Sequence, residues 1–228
     1  MWSYYGRKHR IAKYYPNPIH DTIIEPFAGT AAYSLYKDNW KKEVVLVDNN
    51  PIIIDIWHYL QSAKPTDILN LPSITKIGED IRNNKMLSKE EKYLMGFQIN
   101  YGVSMPRNKV TKWAYIQRQG WENKKLKIAQ DLYKIKHWKI ILGSYIDITN
   151  IKATWFIDPP YQFGGQAYRG NSSNKFIDYD ELTKWCKSRK GQVIICENSK
   201  ADWMDFKFLV KTRSQTKEKQ HEMIWTNK

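Results

Sequence analysis

An apolar run that stops at Asp158-Pro159-Pro160-Tyr161 constrains this chain more than any other stretch. Trp155, Phe156 and Ile157 are aromatic or β-branched, the composition of a buried strand. Two prolines in succession cannot continue a sheet ladder, and they hold the backbone in one shape. They also leave a carbonyl with no neighbouring N–H to satisfy it. A carboxylate, a backbone acceptor and a flat ring therefore converge at the C-terminal edge of a strand, where open α/β sheets bind ligands. A plain turn after a core strand, with Tyr161 covering the edge, accounts for the same four residues. The rest of the chain decides between the two.

The flanking pattern is α/β. Residues 4–20 read as a basic, Tyr-rich loop and a short helix ended by Pro16 and Pro18. Thr22–Glu25 predicts a strand, and Pro26-Phe27-Ala28-Gly29-Thr30 a small-residue turn. A helix over Ala31–Lys37 would then present its first N–H groups to a ligand. Glu43–Val47 predicts a second strand, ending at Asp48-Asn49-Asn50-Pro51. Asp48 follows the Gly29 turn by about twenty residues, the separation at which a strand-end carboxylate accepts from ribose hydroxyls in nucleotide-binding folds. Asn49 or Asn50 would also cap a helix from Pro51 through Leu60, and the two roles are compatible.

The alternation lapses between Lys64 and Ile140. A Pro-containing connector, Lys64–Pro72, precedes a capping box at Ser88-Lys89-Glu90-Glu91 that opens a helix towards Asn100. An irregular polar segment, Asn100–Arg107, follows. The pattern resumes with strands at Lys139–Leu142, before Asp158, and at Gln192–Cys196, Phe206–Val210 and Glu222–Thr226. Asp178 caps a helix through Lys187. Gln162–Lys175, rich in Gly and Asn, reads as a lid or substrate-binding loop, or as a plain connector.

Charge points to the partner. The chain carries 37 Lys and Arg against 23 Asp and Glu, a net +14, which favours nucleic acid or an anionic membrane surface. From Tyr101 to Ile140 there are ten basic residues against two acidic ones, more than half of that surplus. Trp113, Tyr115, Trp121, Tyr133 and Trp138 are interleaved with them, as on surfaces that stack bases and track phosphates. The half from Trp121 to Trp138 also fits a solvated helix face. Arg107, Lys109, Lys112, Gln117 and Arg118 alternate with rings and follow no clean helical period. No apolar run approaches the roughly 18 residues that span a bilayer. The opening residues do not read as a secretory signal, so a cytoplasmic protein is expected. Cys186 and Cys196 are too few for a zinc site and are expected to be reduced and structural.

Taken in order, these motifs resemble the S-adenosylmethionine-dependent amino-methyltransferases of DNA, most of all the Dam-type adenine-N6 methyltransferases. Tyr4-Tyr5-Gly6-Arg7-Lys8 is similar to the family's N-terminal cofactor motif, with Tyr4 at its aromatic and Lys8 at its lysine position. Glu25-Pro26-Phe27-Ala28-Gly29 resembles the cofactor loop, Asp48 the ribose carboxylate, and Asn100–Arg107 the start of the target-recognition insertion. Asp158–Tyr161 resembles the catalytic motif, and Thr212–Asn227 the C-terminal hairpin region. Ala31 departs from the pattern, because the family's loop usually has a second glycine there.

The resemblance implies a Rossmann-like methyltransferase fold with a mostly parallel central sheet. Residues 1–63 and 139–228 would form the catalytic domain and 64–138 a small helical target-recognition insertion. It implies S-adenosylmethionine bound by Tyr4, Lys8, Pro26, Phe27, Ala28, Gly29, Asp48, Asn49, Asp147 and Asp158. It implies double-stranded DNA held by Asn100, Arg107, Lys109, Lys112, Gln117, Arg118 and Arg213, on a monomer or weak dimer that needs no metal. Asp158 and the Pro159 carbonyl would accept from the amine of a flipped-out adenine, while Tyr161 stacks on the base. The same four residues would activate any exocyclic amine. Cytosine N4, an RNA base or a non-catalytic nucleic-acid-binding role are therefore the alternatives.

Overall fold

The computed structural model describes every residue except Tyr101, 165–176 and 214–218, and the side chains at 213, 219 and 220 are also outside it. The Gly- and Asn-rich stretch read as a lid lies mostly among those residues, as does the side chain of Arg213. The chain forms two compact units, Met1–Arg7 with Asn50–Ile140 and Lys8–Asn49 with Ile141–Lys228. The first is helical and the second carries most of the sheet.

Seven strands run in the order β3-β2-β1-β4-β5-β7-β6. They are β1 (Thr22–Glu25), β2 (Glu43–Asp48), β3 (Lys139–Leu142), β4 (Ala153–Ile157), β5 (Gly191–Asn198), β6 (Lys207–Arg213) and β7 (Lys219–Thr226). β1 pairs in parallel with β2 on one side and with β4 on the other, and β4 pairs in parallel with β5. β7 lies antiparallel to both β5 and β6. This is the Rossmann-like, mostly parallel sheet that the sequence leads one to expect. Strand order reverses between β1 and β4, and the crevice at such a switch point is where doubly wound sheets bind ligands.

All five residues of β4 are buried because both faces of the sheet are covered. On one face Trp155 and Ile157 join Leu182 and Trp185 of α6 (Tyr179–Ser188) in a cluster with Ile24, Val193 and Ile195. On the other, Phe156 stacks on Tyr33 with ring centroids 4.3 Å apart and meets Tyr15 edge-on at 5.0 Å. Asp178 starts α6 by accepting from the N–H groups of Asp180 and Glu181 at 2.9 and 3.0 Å.

The helical unit contains α1 (Pro51–Ser62), α2 (Pro65–Leu69), α3 (Lys89–Gly96), α4 (Lys112–Ile116) and α5 (Arg118–Asp131). Asn50 caps α1 through the Ile52 N–H at 3.0 Å, with Pro51 at the first position. Ser88 and Glu91 cap α3 reciprocally. Trp57 of α1 meets Trp2 and Trp138 at 5.0 and 5.8 Å and centres this unit's core. Buried Lys125 and Trp121 of α5 donate to the Leu71 and Pro72 carbonyls and fasten the connector.

Four local expectations are corrected. Residues 31–37 form turns rather than a helix, because Ala31 and Lys37 have φ of 46° and 48° and the Ser34 N–H is taken by the Glu25 carboxylate at 2.8 Å. The connector at 64–72 contains α2, which Pro65 and the Lys64 N–H bonded to Asp67 nucleate. Helix α3 stops at Gly96 instead of reaching Asn100, since Arg107 closes on Gly96, its N–H donating to the Gly96 carbonyl at 3.1 Å. A methyl at Gly96 would stand 2.6 Å from Pro106 Cβ. The segment without a helical period nevertheless holds the short helix α4, capped by Thr111.

Gly191 opens β5 at φ +108°, and an added Cβ would stand 2.2 Å from the Ala153 carbonyl oxygen. Gly191→Ala should therefore destabilise the fold by about 3 kcal/mol in urea unfolding. A loss under roughly 1 kcal/mol would contradict this account of the β4–β5 register.

Candidate active site

Residues from the ends of β1, β2 and β4 build the site, all within the sheet-bearing unit. Glu25 ends β1, and the Pro26–Gly29 loop turns back over the end of β2. The Ala28 N–H donates to the Val47 carbonyl and the Gly29 N–H to Asp48 Oδ2, each at 3.0 Å. Asp48 therefore shapes the glycine loop as well as standing at its mouth. Gly29 and Ala31 both adopt left-handed backbone, at φ 44° and 46°. That geometry explains why a glycine suits position 31, and alanine bears a cost there of about 1 kcal/mol. The Ala31 methyl is buried in protein. Asn49 is exposed beside Asp48.

At the end of β4, Asp158 meets Lys8. The ammonium lies 3.2 Å from Asp158 Oδ1, donates to the Tyr161 hydroxyl and sits 4.3 Å from the centroid of the Tyr161 ring. Lys8 is buried, 6% exposed, so its charge is compensated by protein groups rather than water. Burial pushes the Asp158 carboxyl up to about 7; Lys8 works against that rise, while Glu222 and Glu197 add to it. The Tyr179 hydroxyl donates to the Pro160 carbonyl at 2.7 Å, and the Gln162 N–H to Glu197 Oε1 at 2.6 Å. The tetrapeptide is thus tied down on both sides of its turn.

Several of these partners are not singled out by the sequence motifs. Glu222 accepts from Tyr15 and Tyr161, each at 2.7 Å, and Glu197 also receives the Asn198 N–H and the Trp203 indole N–H. Burial raises the Glu197 carboxyl. Glu222 alternates with Ile224 on the buried face of β7, and an acid in a core-facing register is the sequence signal that marks it. Asp147 lies exposed on the single 3-10 turn Tyr145–Asp147, and it is Tyr145 that packs on Phe27, with ring centroids 5.3 Å apart. Cys186 and Cys196 are free and buried. Among the described residues, no three His, Cys, Asp or Glu side chains gather as a metal site.

In the helical unit, Tyr4 packs edge-on against Phe97 at 5.6 Å, and the Tyr5 N–H donates to Val103. The N-terminal motif and the segment at 100–107 are thereby brought together. Arg107, Lys109, Lys112, Gln117 and Arg118 are exposed, and Asn100 is half-buried. Lys109 sits on an antiparallel bridge to Asp80, and the Arg118 guanidinium lies 4.5 Å from the Tyr115 ring centroid. Trp113 and Ile116 are exposed on α4 among these charges. Among the described residues, no helix is long and apolar enough to cross a membrane.

Burial pushes the Glu25 carboxyl up to about 8, against the bond from Ser34. Because this lies above the unfolded carboxylate value of about 4.3, the relative stability it confers is present at low pH and is lost as pH rises through about 8. Glu25→Gln keeps an acceptor for the Ser34 N–H. It should match the wild type in thermal unfolding at pH 4 and become progressively more stable than it up to pH 8. Parallel pH profiles for the two proteins would contradict a buried, neutral Glu25.

A family model for the D12 class of N6 adenine-specific DNA methyltransferases matches residues 4–118, half of the chain. No curated protein matches it. Among solved structures, a candidate methylase from Haemophilus influenzae is similar with a TM-score of 0.37 and 9% identity, over 90% of this chain and 86% of that one. The rRNA methyltransferase aviRa from Streptomyces viridochromogenes gives a TM-score of 0.40 and 9% identity, over 95% and 80%. Scores that low carry no inference about fold or function. The family match rests instead on sequence that runs from Tyr4 and Lys8 through the Glu25–Gly29 loop and Asp48 to Arg107 and Arg118. With the strand order above and Asp158 at the switch point, the chain belongs to the D12 class of N6 adenine-specific DNA methyltransferases.

Proposed function

We propose that this enzyme transfers the methyl group of S-adenosylmethionine to the N6 amine of a flipped-out adenine at a specific sequence in double-stranded DNA. The observation that carries the reading is the half-buried Asp158 carboxylate, delivered by β4 to the switch point and held there by the buried ammonium of Lys8.

The residues present fit the cofactor. S-adenosylmethionine, when bound, supplies an electrophilic methyl on a sulfonium and adds an ammonium, so it is rich in positive charge. Asp158 and Glu222 each lie 3.2 Å from the ammonium of Lys8, and Glu197 acts on Asp158 from β5, an excess of negative charge that suits a cationic ligand. Asp48 stands where ribose hydroxyls need an acceptor, beside Asn49 and the Pro26–Gly29 loop. Phe27, backed by Tyr145, offers an apolar plate for a purine.

An exocyclic amine is a poor nucleophile because its lone pair is delocalised into the ring. Asp158 and the Pro159 carbonyl, accepting from that NH2, draw the nitrogen towards sp3 and return the lone pair to it. Orientation and electrostatics supply most of the rate. Lys8 holds the Tyr161 ring at its hydroxyl end, and the ring is the flat surface on which the base would stack. A base inside a duplex cannot reach such a pocket, so it must leave the stack, at a cost of a few kcal/mol. The exposed cations of the helical unit bind phosphates, with Arg107, Gln117 and Arg118 reading base edges. The enzyme is expected to work in the cytoplasm, as a monomer or weak dimer.

Asp158→Ala should lower transfer to DNA by roughly a thousandfold, with DNA affinity nearly unchanged in a filter-binding assay. Parallel loss of both would make Asp158 structural. Since the ionised Asp158 is the stronger acceptor, kcat/KM should rise with pH through about 7. A flat profile between pH 5.5 and 8 would remove the ionised Asp158 from the mechanism. Lys109→Ala with Lys112→Ala should weaken binding to all sequences and reduce the salt slope by about two. An unchanged slope would take both lysines off the interface.

A further inference from the structure

Three donors converge on one oxygen of a side chain to which no motif gives a role. Oε1 of Glu222, in β7, accepts from the hydroxyls of Tyr15 and Tyr161 at 2.7 Å each and lies 3.2 Å from Lys8 Nζ. The same ammonium is 3.2 Å from Asp158 Oδ1. One buried cation therefore faces two carboxylates at equal distance, one at the end of β4 and the other on β7. The other titratable groups acting on this pair are Glu197 and Cys196 from β5, Tyr15, Tyr161 and Glu25 from β1.

We propose that Glu222 is a positioning residue for transfer: it divides the Lys8 charge with Asp158, so that Lys8 holds Asp158 in place without saturating it as an acceptor. The inference rests on reading Asp158 as the amine acceptor. A carboxylate fully engaged by an ammonium has little acceptor strength left for a substrate N–H. A buried carboxylate without a cation takes up a proton instead. Glu222 sets the balance between those extremes by drawing Lys8 towards itself and by repelling a second negative charge. It also fixes the Tyr161 ring through the hydroxyl, and so fixes the face presented to the base.

Glu222→Gln tests this directly, because it removes the charge while keeping an oxygen for the two hydroxyls. With 13C-carboxyl-labelled aspartate and Asp158→Asn to identify the resonance, the Asp158 titration can be followed by NMR on the protein alone. In Glu222→Gln its midpoint should fall by about one unit, and the acid limb of kcat/KM should move down with it. An unchanged or raised midpoint would overturn the proposal. Should Glu222→Gln fail to fold, Tyr15→Phe removes one donor from Glu222, leaves it to pull harder on Lys8, and should move the midpoint upwards. An unmoved or lowered midpoint in Tyr15→Phe would equally overturn it. The titration needs neither cofactor nor DNA. A shifted midpoint in a protein that transfers no methyl group would therefore overturn the reading of Asp158 as amine acceptor rather than the division of charge.

Discussion

The ion pair between Lys8 and Asp158 joins a residue that precedes the first strand to the turn that follows the fourth. The Lys8 charge is buried and would be costly there alone, and Asp158 beside it is half-buried. The sheet makes the pairing possible, since β1 and β4 lie side by side in parallel and deliver their C-terminal ends to one crevice. The two buried faces of β4 hold that strand in place through Trp155 and Trp185 on one side and Phe156, Tyr33 and Tyr15 on the other. Much of the aromatic richness of this unit is therefore structural. It is the packing that lets a carboxylate stand at the end of a central strand with one cation beside it.

Glu25 and Asp158 both carry the mark of that environment. Burial pushes each carboxyl well above its ordinary range. For Glu25 the effect supports the loop: a carboxyl bonded to the Ser34 N–H holds the chain after the glycine turn. For Asp158, half-buried at the strand end, Lys8 opposes the rise while Glu222 and Glu197 add to it. The same burial thus acts on one acid inside the frame and on another at the end of β4.

Much of this was legible in the chain. The β4 run with its prolines, the capping box at Ser88 and Glu91, the Asn50-Pro51 helix start and the Asp178 cap are local signals, and each forms as its chemistry dictates. What was not legible depends on groups distant in sequence. The turns at 31–37 arise because Glu25 takes the Ser34 N–H, which no helical propensity in that segment encodes. Gly96 ends α3 because Arg107 closes against it. Glu222, more than two hundred residues beyond Lys8 and Tyr15, looks like one more polar residue until β7 turns it inwards.

The carboxylates around Lys8 lie in the sheet-bearing unit, and the exposed cations at Arg107, Lys109, Lys112 and Arg118 lie in the helical one. The central claim is that this arrangement methylates adenine N6 in DNA. The most direct measurement is nucleoside analysis of mixed-sequence duplex DNA after incubation with the protein and methyl-labelled S-adenosylmethionine. Label in N6-methyladenine alone is the predicted result. Label in N4-methylcytosine, label only when RNA is supplied, or none at all while the cofactor binds would contradict it.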